Sequence, residues 1–128
     1  VTGVQTCALP ILKVTGVDLL LRRLLRNLLD NAMRHGSTAA GVQMLLCPTP
    51  DGRVRIEVRD HGPGVPSGLE EKIFEPFYRV PGKAEWQGGT GLGLTLVRSI
   101  ARHHGGEVHY ENRVGGGACF VVELPLTH

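Results

Sequence analysis

Between Leu19 and His35 the leucines recur at helical spacing, with Leu21, Leu24, Leu25 and Leu28 at i, i+3, i+4 and i+7. Asp18 stands where an N-cap belongs and Gly36 where a helix stops, so the pattern predicts one long helix, apolar on a single side. Such a helix is marginal in water and must lay its leucines on a core supplied by other elements. The next two segments supply that core. Residues 41–47 (GVQMLLC) and 53–59 (RVRIEVR) read as strands, with Pro48, Pro50, Asp51 and Gly52 in the loop between them. In the second, Val54, Ile56 and Val58 alternate with Arg55, Glu57 and Arg59, which puts aliphatics on the inner face and charges on the outer one.

Residues 11–15 (ILKVT) read as a short strand ahead of the long helix. A short helix is expected to start after Ser67 or Gly68 and to carry Leu69 to Phe74. Residues 75–90, with Pro76, Pro81 and three glycines, read as a mobile loop. A second long helix is predicted from about Gly91 to His104, apolar on Leu92, Leu96, Val97 and Ile100 and stopped by Gly105-Gly106. Strands at 107–112 and 118–124 close as a hairpin through the glycine turn 115–117, and Pro125 ends the second. Helices and antiparallel strands in this order specify an α+β two-layer sandwich, with helices on one face of a mixed sheet. The 128 residues suffice for one domain with a single modest core.

Composition excludes some functions. With 14 basic against 12 acidic residues, and no basic run or aromatic ladder, the chain is not expected to bind nucleic acid. No apolar stretch reaches the roughly 20 residues that cross a bilayer, so no membrane contact is expected of this segment. Cys7, Cys47 and Cys119 lack metal-ligand spacing, and Cys47 and Cys119 sit in strand-like apolar runs; both are expected as buried free thiols in a reducing compartment. Residues 1–11 (VTGVQTCALPI) have neither the charged start nor the long apolar centre of a signal peptide. They are expected to be a non-native leader outside the fold, leaving 12–126 as the domain and 127–128 as a tail.

Four groups of residues have chemistry to offer. Asn27, Asn31 and Arg34 share one helix face opposite the leucines, where carboxamide oxygens and a cation suit a hydrated Mg2+ and a phosphate chain. Taken alone, the same stripe reads as a solvated helix face. Asp60 continues the parity of Val54, Ile56 and Val58, so its carboxylate points toward the core and needs a donor. Gly62, Pro63 and Gly64 then bend the chain and let backbone approach a ligand, which suits acceptance from the exocyclic amine of adenine. For an isolated DxGxG, an Asp that merely starts a turn is the stronger reading. In EKIFEPFYR, residues 71–79, Phe74 and Phe77 are expected to anchor a loop while Arg79 reaches outward. In GGTGLGL, residues 88–94, Gly89, Gly91 and Gly93 expose amides at a helix start, an anion site that matches neither the P-loop nor the Rossmann fingerprint.

In order and spacing, RNLLDNAMRHG, DHGPGVP, EKIFEPFYR and GGTGLGL resemble the N, G1, F and G2 boxes of the sensor histidine kinase ATP-binding domain. The similarity runs from about Leu12 to Pro125. It implies a Bergerat-type sandwich: a mixed five-stranded sheet backed by three helices, with ATP held under a flexible lid. By the resemblance Asn27 would ligand Mg2+, Asn31 and Arg34 would contact phosphates, and Asp60 would read adenine in a pocket shaped by Gly62, Gly64 and Val65. Residues 79–90 would form the lid, with Arg79 near the γ-phosphate and Gly89, Thr90, Gly91, Leu92, Gly93 and Leu94 wrapping the phosphates. His35 stands where the family often has tyrosine and would lie against the base; His61 replaces a common asparagine and would be a turn residue at the rim.

The resemblance also implies partners and a place. ATP is the substrate, the γ-phosphoryl goes to a histidine on a separate dimerisation domain, and a response regulator lies downstream. The setting is cytoplasmic, on a parent that is an inner-membrane receptor. Related ATPases tend to have a glutamate where Asn27 sits, and a carboxamide cannot serve as that general base, which fits a kinase rather than a hydrolase. None of the six histidines lies in a phosphoacceptor helix, so the chain is expected to bind ATP without phosphorylating itself. His103 and His104, at a helix end, are explained by the helix dipole. An NAD-binding module is a rival, but no strand precedes Gly89 as it would require. A non-catalytic nucleotide sensor and an anti-sigma-type serine kinase on the same fold remain as alternatives.

Overall fold

The computed structural model of the chain describes residues 2–6, 13–35, 41–62, 64–78, 92–113 and 117–127; at 2–6, 34 and 35 the description is of backbone alone. The elements in chain order are β1 (Thr2–Thr6), α1 (Asp18–His35), β2 (Val42–Pro48), β3 (Arg53–Arg59), α2 (Gly93–His103), β4 (Glu107–Asn112) and β5 (Ala118–Pro125). The sheet runs β1-β2-β3-β5-β4, with β2 to β5 paired antiparallel and β1 added parallel to β2. The α+β class and the layering agree with the sequence reading.

The inner face of the sheet is aliphatic by parity. Val54, Ile56 and Val58 sit opposite Leu124, Val122 and Phe120, and these in turn face Val108 and Tyr110 across β4. Leu24, Leu28 and Ala32 of α1 and Val97, Ile100 and Ala101 of α2 close over them in one core. Leu28, Val58, Val97, Phe120 and Val122 are wholly out of solvent at 0% exposure, which is why periodicity in these segments was so readable. Asp18 is the first residue of α1 rather than its cap and pairs with Arg22 one turn on.

Several expectations are corrected. Of the strand expected at 11–15, residues 13–15 are irregular, and 11 and 12 lie outside the described residues. An outer strand instead comes from within the expected leader: Thr2–Thr6 pairs with Val42–Leu46, so residues 2–6 belong to the sheet, while 1 and 7–11 lie outside the described residues. Any extended segment can satisfy the open N–H and C=O row of an edge strand, so pairing here needed no hydrophobic pattern to announce it. Two α-helices are found among the described residues instead of three; the segment after Gly68 makes only a single 3-10 turn, Lys72–Phe74, before Pro76. Leu92 precedes α2 and is 39% exposed, not part of its apolar side.

Phe74 is buried as expected, but Phe77 is 66% exposed with a left-handed φ of 62°, so it does not anchor the loop. Cys119 is a buried free thiol, and burial first, then the neighbouring Glu57 charge, pushes it up to about 12. Cys47, in contrast, is disulfide-bonded and only half-buried, since it lies near the edge of the sheet where β1 is added.

Candidate nucleotide site

Asn27 and Asn31 lie one turn apart on α1 and are both half-buried, neither in the apolar core nor fully in water. The Asn27 carboxamide nitrogen donates to the Gly93 carbonyl at 3.4 Å, so the N-box face of α1 meets the first turn of α2. That bond leaves the carboxamide oxygen for another partner. Leu92 holds the N-cap place of α2 and makes no side-chain capping hydrogen bond, and a helix N-terminus carries partial positive charge. Leu94 is half-buried there. Arg34 and His35 lie in α1, with side chains outside the described residues; Arg79, Gly89, Thr90 and Gly91 lie outside them altogether.

The second part of the site is at the end of β3. Asp60 is 3% exposed and is the buried charged residue of the described core. Its Oδ1 accepts the Gly62 amide at 2.8 Å, its own amide donates to the Ala118 carbonyl at 2.9 Å, and the Arg113 guanidinium donates to its carbonyl at 3.1 Å. Burial raises its pKa, opposed by the Gly62 and Ala118 contacts and by the charges of His61 and Arg113. No hydrogen bond among the described residues reaches the second carboxylate oxygen. A buried carboxylate held in this way suits a hydrogen bond from an exocyclic amine. His61 is exposed beside Asp60 in the chain.

Gly64 and Val65 are held against β4. Gly64 is left-handed at φ +77°, and a Cβ there would meet Asn112 Oδ1 at 2.8 Å and Tyr110 Oη at 2.9 Å. Packing against β4 and the left-handed backbone both call for glycine here. Val65 donates its amide to Tyr110 Oη at 2.7 Å, accepts from the Asn112 carboxamide at 3.5 Å, and buries its side chain in the core. Gly117, at φ +102°, packs against the Asp60 carbonyl so closely that no side chain fits.

The F-box turn is fastened to α2. Thr95 donates its hydroxyl to the Phe74 carbonyl at 2.8 Å, and Arg98 pairs with Glu71 at 2.7 Å. The Arg98 guanidinium also lies 4.6 Å over the Phe74 ring, and its Nε is buried with no hydrogen-bond partner among the described residues. Thr95, Arg98, Tyr110, Asn112, Arg113 and Gly117 were not singled out from sequence. Inward parity of Tyr110 with Val108 was legible in EVHYEN; what its hydroxyl meets was not.

A two-layer α+β sandwich that sets an asparagine-bearing helix against the first turn of a second helix, with a buried Asp–Gly loop at a strand end, suits an ATP-binding domain. The sequence model of the family described as histidine kinase-, DNA gyrase B-, and HSP90-like ATPase matches residues 16–128, and the chain belongs to that family. Within it, the resemblance is to sensor histidine kinases. The chain is 43% identical over 110 residues to the sensor histidine kinase GtrS of Pseudomonas aeruginosa, covering 86% of this chain and 22% of the relative. The mycobacterial sensor histidine kinase MprB superposes with a TM-score of 0.84 at 26% identity, over 98% of this chain and 80% of that one. Full-length ShkA in complex with AMPPNP superposes with a TM-score of 0.82 at 30% identity, over 98% of this chain and 25% of that one. The chain is thus the ATP-binding catalytic domain of the sensor histidine kinase type, and spans about a fifth of GtrS.

Proposed function

We propose that this domain holds Mg2+-ATP for transfer of the γ-phosphoryl to a histidine on a separate helical dimerisation domain, from which a response regulator is then phosphorylated. The observation behind this reading is Asn27, whose carboxamide nitrogen donates to the Gly93 carbonyl in the first turn of α2, so that its oxygen, an acceptor, suits a cation. A carboxamide there cannot deprotonate water, so the γ-phosphoryl is kept for an external acceptor. When bound, Mg2+ neutralises charge on the phosphates, and an oxygen donor such as Asn27 suits it.

On this reading Asn31 and Arg34 contact phosphates, His35 lies against the base, and Asp60 accepts from adenine within Gly62, Gly64 and Val65. Arg79 reaches the γ-phosphate, and Gly89, Thr90, Gly91, Leu92, Gly93 and Leu94 surround the phosphate chain beneath a lid at 79–90. The domain acts on the cytoplasmic side of a parent receptor in the inner membrane; no described helix is long and apolar enough to cross a membrane. Incubation with labelled ATP, Mg2+ and a supplied acceptor domain is expected to place acid-labile phosphate on that domain's histidine, and none on this chain alone. Acid-labile phosphate on the chain itself, or fast hydrolysis without transfer, would overturn the proposal.

A further inference from the structure

Two side chains of β4 do something for the Asp60 loop that no strand needs for its own stability. Val65 has both backbone polar groups answered by side chains: its amide goes to Tyr110 Oη, and its carbonyl takes the Asn112 carboxamide. Tyr110 Oη in turn donates to Asn112 Oδ1, which closes a ring of three hydrogen bonds. The vacant Cβ place of Gly64 is filled by the same two oxygens. Tyr110 itself cannot drift, since its ring packs edge-on against Phe120 with centroids 5.3 Å apart. Burial raises the pKa of its hydroxyl, and the charge of Asp60 adds to this, so it stays a protonated donor. The other end of the loop is tied to the same hairpin by Arg113 and Ala118.

We infer that Tyr110 and Asn112 are positioning residues for recognition of the nucleotide base, acting through Gly64 and Val65 to set the place of the Asp60 carboxylate. The inference rests on the reading that Asp60 takes the exocyclic amine of adenine. If so, removing the ring must weaken base recognition and leave phosphate recognition alone. A purely structural role would weaken both alike.

Tyr110→Phe tests this with little loss of packing, because only the hydroxyl goes. Binding of ATP, ITP (which lacks the exocyclic amine) and tripolyphosphate is measured by calorimetry in the presence of Mg2+. In Tyr110→Phe, ATP affinity is expected to fall about fivefold, the scale of one neutral hydrogen bond, while ITP and tripolyphosphate change less than twofold. Asn112→Ala is expected to behave alike, and the double variant to lose no more than the worse single one, as residues of one network do. Asn112→Asp, which keeps the acceptor for Tyr110 but not the donor to Val65, should fall between wild type and Asn112→Ala. Asp60→Asn serves as the control: if it leaves the ATP-to-ITP preference intact, the adenine reading itself fails. If Asp60→Asn abolishes that preference and Tyr110→Phe does not narrow it, the positioning inference alone is overturned. Equal losses for all three ligands in Tyr110→Phe would overturn it as well.

Discussion

A single buried carboxylate decides the character of the site. Asp60 is charged at a cost, because burial raises its pKa and only part of that is offset by the Gly62 and Ala118 contacts. A raised folded-state pKa means that its stabilising contribution is full below the ordinary aspartate range and is lost as pH rises through the raised value. Asp60→Asn keeps an acceptor for the Gly62 amide and sheds this cost. It is expected to unfold no lower than the wild type at pH 7, with an advantage that shrinks at pH 4, while losing ATP affinity about tenfold or more. Thermal unfolding at both pH values, beside a calorimetric titration, checks the opposed signs. Leu28, at 0% exposure under α1, gives the contrasting case: Leu28→Ala should cost about 2–5 kcal/mol in urea unfolding through the cavity it leaves.

Among elements, the two helices are bound at both ends of their contact. Near the nucleotide site Asn27 meets Gly93; at the opposite end the Val17 amide donates to His104 Nε2 at 3.0 Å. His104 Nδ1 donates to the Ile100 carbonyl at 2.8 Å, so this ring acts as a hydrogen-bonded bridge, not as a charge on the helix dipole as the sequence suggested. Gly16 lies against the same ring, where a Cβ would overlap it. Gly16→Ala is therefore expected to destabilise the domain by about 1–3 kcal/mol, read as a lower urea midpoint with unchanged slope. The outer sheet face behaves as another unit. Burial pushes the Glu57 carboxyl up, but hydrogen bonds from Arg55 and Arg59 hold it below the usual range; at Glu111 the His109 bond is the main cause of a lowering. Stability from these groups is present above the ordinary glutamate range and is lost as pH falls through their depressed values. Arg55→Met should flatten the loss of stability between pH 5 and 3, measured by urea unfolding.

At the scale of the molecule, ligand and fold are linked by mass action. Mg2+-ATP at about 100 times its dissociation constant should add about 2.7 kcal/mol to stability. A rise of several degrees in Tm, reduced when Mg2+ is chelated and absent with NADH, is the expected signature in thermal unfolding. On the proposed reading Asn27 in the helical layer and Asp60 at the end of β3 both serve the nucleotide, so unfolding and loss of nucleotide binding should coincide.

What residues alone determined was whatever has a period. The leucines of α1 and the alternation of β3 and β4 each turn one face to the core, and a repeat of burial leaves a repeat in sequence, whereas β5 is buried along both faces from Ala118 to Val122 and reads only as an apolar run. Parity carried as far as Asp60 and predicted its inward carboxylate. Local chemistry without a period was beyond that reach. Pairing of Thr2–Thr6 with β2 uses backbone groups every residue has, and the ring of Tyr110, Asn112 and Val65 joins positions 45 and 47 residues apart. Only the folded sheet brings the end of β4 under the Asp60 loop, and hydrogen bonds made across that distance have no signature in the order of the residues.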